Sequence, residues 1–497
     1  MKVSMKAAVA TACSLAAASV VACSGFYAGR LTTADGTTLI GRTADYHPYS
    51  AASRIIKVEA GAASNRYAHV QTPKVTALKR GPYAGGSVNE MGLMLTGTVT
   101  AGTCTSATNA DPFVSAKAGG VGEADLPGLV IGNCATAREG VIRLGEEIAK
   151  HGHRAPDIYL LADRTESWYM EVYTGHQWAA VKMPEDKVAV FGNQFMIGAF
   201  ATNRTDVLYS PGLISTAVKG KFIKWVDEKK GIVNLFDTYS DGLQTHSTYR
   251  AWYGRHLLAP GTEGVYATNR VMELFYTPKK KVVLSDFFNL MRSRYEGSAA
   301  CPEERPGAPY RVFGVAMQGN CHVLQMRHDL PPATCATAWV CVGPSSHGVF
   351  MPVNAATRTV WPAYSRDQME GPFRADPERA GDTFLALATL AEAQTHTFTN
   401  GASGPVWVDL RPRYGNGVRD FWTTCEQRFA REWPAVVSRG DVAEITAYTT
   451  NVQARAFADA KRLYDDLLWY AAANNHSAAD GGKKGELYDP PFKPQEK

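Results

Sequence analysis

Cys23 is the residue whose type and place could do chemistry. Cys23 follows an apolar stretch, Ala7 to Ala22, with Lys2 and Lys6 ahead of it. A basic start, an apolar middle and small residues before a cut mark an export leader. Cleavage between Ala22 and Cys23 would place a thiol and a free α-amine on one residue. An α-amine titrates near pH ~8, against ~10.4 for lysine, so it can take the proton of its own thiol. Nucleophile and base would then be a single residue, made only by processing.

Val20-Val-Ala-Cys23 also fits a bacterial lipoprotein signal. Lipid on the thiol and an acyl group on the amine would abolish that chemistry. The apolar run is shorter than the ~20 residues a helix needs to span a bilayer. The residues after Cys23 favour a packed chain start over a lipid tether. Phe26 to Gly29 reads as a first strand, and Asp35-Gly36 is a hairpin turn signal before a second β-prone run, Thr37 to Arg42. An antiparallel return would bring Arg42 and Asp45 back beside Cys23.

Cys-x18-Arg-x2-Asp, with the Asp-Gly turn inside it, resembles the N-terminus of the C69 family of dipeptidases. These are N-terminal-nucleophile hydrolases related to bile salt hydrolases and penicillin V acylases. The resemblance continues through Asn89-Glu-Met-Gly-Leu93 with Thr96-Gly-Thr98, then Glu166-Ser-Trp168-Tyr-Met-Glu171, Gly175-His-Gln-Trp178, Pro184 and Asn193-Gln-Phe195. Leu290-Met-Arg292-Ser-Arg-Tyr-Glu-Gly297 and Gly348-Val-Phe-Met-Pro352 match later blocks. It spans roughly Cys23 to Tyr364. Arg294 departs from it, standing where a histidine-like residue is expected, and the last hundred or so residues carry no matching motif.

The resemblance implies an α+β fold, a four-layer α-β-β-α sandwich with two antiparallel sheets inside. It implies a leader over 1–22 and a hydrolase domain over 23–497, here with a helical portion over about 375–475 and a polar tail. It implies roles as well. Cys23 attacks an amide carbonyl, Arg42 favours the thiolate, because a nearby cation lowers a thiol pKa, and Asp45 holds the amine or Arg42. The backbone amide of Asn89 and the side-chain amide of Asn193 are the candidate donors to the tetrahedral oxyanion. Arg292 is a candidate polar support. No cofactor or metal is implied, and the substrate is a small peptide. Glu90, Glu171 and Arg294 could supply charges for a dipeptide's termini. Tyr27, Trp168 and Trp178 could instead line an apolar pocket, as in an acylase acting on N-acyl amino acids. A lipid-anchored binding protein is the other alternative, and a homo-oligomer stays open.

Composition is that of a globular protein: 497 residues, 45% hydrophobic and 20% charged. The net charge of +5 falls to near +3 without Lys2 and Lys6, too small to argue for nucleic acid. Export would permit disulfides among seven cysteines, the nine less Cys13 and Cys23. Cys335 with Cys341 and Cys301 with Cys321 are candidates by proximity; buried thiols are the alternative. No His-Glu-x-x-His, Cys-x-x-Cys, Gly-x-Ser-x-Gly or phosphate-binding glycine loop occurs, and His151, His153 and His246 lack metal-ligand partners at useful spacing.

The elements that must position these residues are mixed. Strand-like runs cover Gly36 to Arg42, Met91 to Val99, Ile158 to Ala162, Trp168 to Tyr173 and Val188 to Phe191. Ala137, Val141, Leu144 and Ile148 make a helical stripe within Cys134 to His151. After a break at Pro372 to Pro377, helices are expected over Arg379 to Ala393, Val418 to Arg431 and Val452 to Ala473.

Overall fold

The computed structural model describes residues 23–45, 51–62, 65–77, 81–97, 99–302, 310–315, 318–366, 375–392, 395–400, 404–409 and 411–479. The leader, most of the polar tail and residues 372–374 of the expected break lie outside them.

The first half of the chain is built of antiparallel strands: β1 (Ser24–Ala28), β2 (Thr38–Asp45), β3 (Ala51–Val58), β4 (His69–Ala77), β5 (Gly81–Asn89), β6 (Met94–Gly97), β7 (Asp157–Ala162), β8 (Ser167–Val172), β9 (Trp178–Lys182), β10 (Val188–Phe191) and β11 (Val207–Tyr209). Later come β12 (Gln318–Met326), β13 (Ala336–Val342) and β14 (Met351–Asn354). They form a six-stranded sheet in the order β10-β1-β2-β12-β13-β14 and an eight-stranded sheet in the order β11-β9-β8-β7-β6-β5-β4-β3. The β1–β2 hairpin turns at Asp35-Gly36. The Asp35 carboxylate accepts from Thr37 N–H (3.3 Å) and Thr37 hydroxyl (2.7 Å), and Gly36 takes a φ of 71° that favours glycine.

Side-chain alternation gives the six-stranded sheet two different faces. Phe26, Gly41, Val323 and Trp339 share one register row. This row meets the helix Leu284–Arg292 through Phe287, Phe288 and Met291. The neighbouring row, Gly25, Arg42, His322 and Val340, faces the second sheet. There His322 Nε2 pairs with Thr96 Oγ1 at 2.7 Å and Arg42 Nη1 reaches Gly85 O at 3.5 Å. Gly86 makes this approach possible, since a Cβ there would lie 2.6 Å from the His322 ring.

Helices cover the outer faces. On the eight-stranded sheet, α1 (Ala137–His151) buries Val141, Leu144 and Ile148 against Leu161, Trp168 and Met170. Thr136 caps it, accepting from Glu139 N–H at 3.2 Å. The six-stranded sheet is flanked by α2 (Thr245–Leu258) and α3 (Leu284–Arg292), and by α4 (Ala380–Glu392), α5 (Arg411–Arg439) and α6 (Val442–Ala479). The expected late helices are all present, and two run further than expected. The apolar stripe continues through Trp433, Val436 and Val437, so α5 stops only at Gly440, whose φ is 69°. The strand-like runs read from the sequence do not reach β3, β4, β5, β9 or β11, nor β12 to β14. The last three have a plain reason. They are buried on both faces, so their residues do not alternate between apolar and polar.

Cys321, Cys335 and Cys341 carry free thiols, so neither disulfide suggested by proximity forms. Cys321 instead stands opposite Cys341 in the β12–β13 register. No helix among the described residues is long and apolar enough to cross a membrane.

The C-terminal helices are tied to the sheet by a buried ion pair. Arg292, at the end of α3, grips both carboxylate oxygens of Glu426 on α5, one of them at 2.8 Å. It also donates to Ser345 O (2.9 Å) and Gly348 O (2.8 Å). Removing one partner of such a pair strands a buried charge, at a cost of about 3–5 kcal/mol. Glu426→Ala is therefore expected to lower the unfolding free energy by that amount in urea denaturation, well beyond a surface glutamate variant.

Candidate active site

Cys23 is fully buried at the edge of β1, between the two sheets. Because β2 returns antiparallel, Arg42 lies opposite Gly25 and reaches back along the same face. Arg42 Nη2 donates to Cys23 Sγ at 3.4 Å, and the backbone N–H of Asp45 also points at the sulfur. Burial pushes the Cys23 thiol up, and Arg42 pulls it back down.

Arg42 is not an isolated cation. Its Nη1 pairs with Glu123 Oε1 at 2.6 Å, and both side chains are nearly inaccessible. Glu123 sits on a single 3₁₀ turn, Glu123–Asp125, in the long excursion between β6 and β7. Asp45 is buried with Arg311 Nη2 on its Oδ2 at 3.1 Å. Its Oδ1 has no hydrogen-bond partner among the described residues. Burial raises the Asp45 carboxyl, against the opposing pull of Arg311 and Arg250.

Arg250, on α2, holds the start of β1. It donates to Cys23 O (2.6 Å), Ser24 Oγ (2.8 Å), Asn193 Oδ1 (2.7 Å), Ser247 Oγ (3.5 Å) and His246 O (2.8 Å). Burial, with the nearby charge of Arg311, lowers it to about 10, so it stays charged at neutral pH. Asn193 follows β10, the strand paired with β1 on its other side. Its Nδ2 donates to Thr100 O at 2.8 Å and carries a second hydrogen.

The structure thus brings Cys23, Arg42, Asp45 and Asn193 together, with Asn193 joined through Arg250. It does not bring Asn89 or Arg292 into the roles expected of them. The Asn89 backbone N–H is spent on Leu93 O at 3.0 Å, closing the β5–β6 turn. Its side chain bonds Ile131 O, Cys134 O, Met91 N–H and Leu93 N–H. No donor remains for an oxyanion. Arg292 is the clamp on Glu426, and the thiols whose field it feels are Cys341 and Cys321. Arg250 and Glu123 were missed by sequence reasoning. Each comes from a distant segment with no local signal, and only the fold brings it to the site.

The residues proposed for substrate contact are mostly structural. Trp168 and Trp178 lie under α1, and Tyr27 OH donates to Pro184 O at 3.0 Å. Arg294 donates to Gly314 O at 2.7 Å, and Glu90 Oε1 accepts from Ala68 N–H at 3.0 Å. Glu171 is fully buried between Tyr169 OH and Tyr173 OH, both at 2.8 Å, and also accepts from Met196 and Ile197 N–H. It therefore pins the Asn193-bearing segment to β8. Among the described residues no cluster of His, Cys, Asp or Glu has metal-site geometry.

The sequence profile of peptidase family C69 matches residues 22–403. A probable dipeptidase B of Streptococcus pyogenes serotype M1 is 28% identical over 375 residues, covering 69% of this chain and 74% of the relative. A probable dipeptidase of Salmonella dublin is 27% identical, covering 69% of this chain and 83% of the relative. A dipeptidase of Bifidobacterium longum is 27% identical, covering 70% and 73%.

Burial lifts the Glu171 carboxyl from its ordinary 4.5 to about 7. A carboxyl raised on folding contributes stability that is complete below pH 4.5 and lost as pH rises through about 7. The difference amounts to about 3 kcal/mol at most. The unfolding free energy of the wild type, measured at pH 5 and pH 8, should fall more steeply with pH than that of Glu171→Gln.

Proposed function

The chain belongs to peptidase family C69, and on that premise we propose that it is a dipeptidase whose nucleophile is Cys23, exposed by removal of residues 1–22. It is a peptidase, so the bond it cuts is an amide. The layering of helix, sheet, sheet and helix fits the four-layer N-terminal-nucleophile sandwich. Export follows from the same reading, since residues 1–22 are the leader.

The observation that carries the mechanism is the pairing of Arg42 Nη2 with Cys23 Sγ at 3.4 Å, on a residue whose carbonyl is fixed by Arg250. A buried thiol is a weak nucleophile until it loses its proton. The free α-amine of Cys23 takes that proton as sulfur attacks the peptide carbonyl. Arg42 stabilises the negative charge that develops on sulfur as the proton leaves. The partnerless Oδ1 of Asp45 is the acceptor that would hold the new amine in place.

The tetrahedral oxyanion accepts from the second Nδ2–H of Asn193, whose other hydrogen and Oδ1 are already fixed. One such donor is worth roughly 3 kcal/mol of barrier. The ammonium then protonates the leaving nitrogen, and the amino-terminal residue remains as a thioester on Cys23. Water, activated by the same amine, releases it.

Intact mass and N-terminal sequence of the mature protein from its native host test this first. A free Cys23 at the N-terminus is expected; a lipid-modified Cys23 would leave neither nucleophile nor base and would end the enzyme reading. Cys23→Ser should fold normally, by circular dichroism, and lose nearly all dipeptide turnover. Alkylation should abolish activity and a chelator should leave it intact; the reverse pattern sinks the mechanism. Side-by-side rates on dipeptides and N-acyl amino acids should favour the dipeptides, and a preference for N-acyl substrates would make the protein an acylase.

A further inference from the structure

We propose that Glu123 is a positioning residue that masks the charge of Arg42, so that the resting enzyme keeps Cys23 as a thiol. The inference rests on the reading of Cys23 as nucleophile, and deepens it by naming what controls the sulfur's protonation.

The geometry is a linear relay. Glu123 Oε1 lies 2.6 Å from one terminal nitrogen of Arg42, and the sulfur lies 3.4 Å from the other. The guanidinium is planar and its two ends are fixed relative to one another, so the carboxylate sets both its place and its angle. Gly85 O adds a weaker contact at 3.5 Å on the same nitrogen as Glu123. The carboxylate also sits one guanidinium width from the sulfur, where an opposing charge is felt strongly in a site shielded from water.

The groups facing the sulfur are Arg42 and Asp45 from β2, Arg250 from α2 and Glu123 from its 3₁₀ turn. Asp45 is paired with Arg311. His322, from β12, stands beside Arg42, and burial holds it neutral, with its pKa at about 3. His246 on α2 feels Arg250 and Arg311, and burial lowers it to about 4. Neither imidazole changes charge near neutral pH. The fixed charges around the sulfur are therefore Arg42, Arg250 and Arg311 against Asp45 and Glu123, and the freed α-amine of Cys23 is the neighbouring group that titrates nearest neutral pH.

The turn that carries Glu123 is itself held rigidly. Asp125 Oδ2 accepts from Gly122 N–H at 2.9 Å and pairs with Arg154 at 2.9 Å. Arg154 Nε–H donates in turn to Gly120 O at 2.5 Å. A residue that served only to fill space would not need its short turn fixed on both flanks. Were Arg42 unmasked, it would favour a resident thiolate. The α-amine would then have no proton to collect during attack and to return to the leaving nitrogen.

The test is the pH dependence of Cys23 alkylation by iodoacetamide, read at that residue by peptide mass. Glu123→Gln keeps an acceptor for Arg42 but removes the charge. Its midpoint should move to lower pH by about one unit, while Glu123→Asp, which retains the charge, should stay near the wild type. A midpoint that is unchanged or moves upward in Glu123→Gln overturns the proposal.

Should Glu123→Gln fail to fold, the double variant Arg42→Met with Glu123→Gln removes both charges, which is commonly tolerated. Masking predicts a midpoint within about half a unit of wild type. A rise of more than about one unit would show that Arg42 acts unmasked, and would equally overturn it. N-terminal sequencing of the same samples separates this outcome from the fate of the functional reading. A chain that does not begin at Cys23 defeats the nucleophile assignment, whereas the alkylation shift reports only on Glu123 and Arg42.

Discussion

The site depends on one guanidinium that the sequence did not single out. Arg250 spends all five N–H groups on three separate pieces of the molecule: the first residues of β1, Asn193 after β10, and its own helix at Ser247 Oγ and His246 O. The beginning of a chain is ordinarily the loosest part of a fold. Here it is the second strand of a six-stranded sheet, with a neighbour on each side and a helix fastened to its first carbonyl. Precision at Cys23 comes from that fastening rather than from the hairpin alone.

The space between the sheets explains why the charges come in pairs. An isolated ion there would cost several kcal/mol; Arg42 pairs with Glu123 and Arg311 with Asp45, while the Arg250 guanidinium is held by neutral acceptors. The histidine that bridges the sheets, His322, is held neutral instead. The same burial that demands pairing also disfavours the thiolate at Cys23, the obstacle that the proposed self-supplied base would meet. Electrostatics and mechanism are thus two results of one desolvated layer.

What was legible in the sequence is what is local. Asp35-Gly36 announced the hairpin, and the hairpin fixed where Arg42 and Asp45 must fall. The stripe of Val141, Leu144 and Ile148 announced α1. Asn89 carried the right motif, but asparagine two to four residues from the N–H groups it accepts is a turn former, and it closes the β5–β6 turn. Arg292 also sat within a matching block, yet its partner is Glu426, 134 residues later and beyond the span matched by the family profile. Arg250 and Glu123 were out of reach for the same reason: a lone arginine on a helix or a glutamate in a loop has no periodicity or spacing to reveal it. β12 to β14 were hidden by being buried on both faces.

The hairpin has one further consequence, in time rather than in space. Its turn residue Asp35 is hydrogen-bonded to Gln325, 290 residues along the chain, because β2 pairs with β12 along its whole length. The sheet around Cys23 therefore cannot close until most of the polypeptide has been synthesised. Pairings of such sequence separation form slowly, since the loop-closure entropy is spent before any contact rewards it. Through that interval β2 has an open edge, whereas β1 lies between β2 and β10 and needs only the first part of the chain. Docking of β12 on β2 completes the row of Gly25, Arg42 and His322. The order of events is built into the topology: the hairpin beside Cys23 assembles early, and the strand behind Arg42 arrives late.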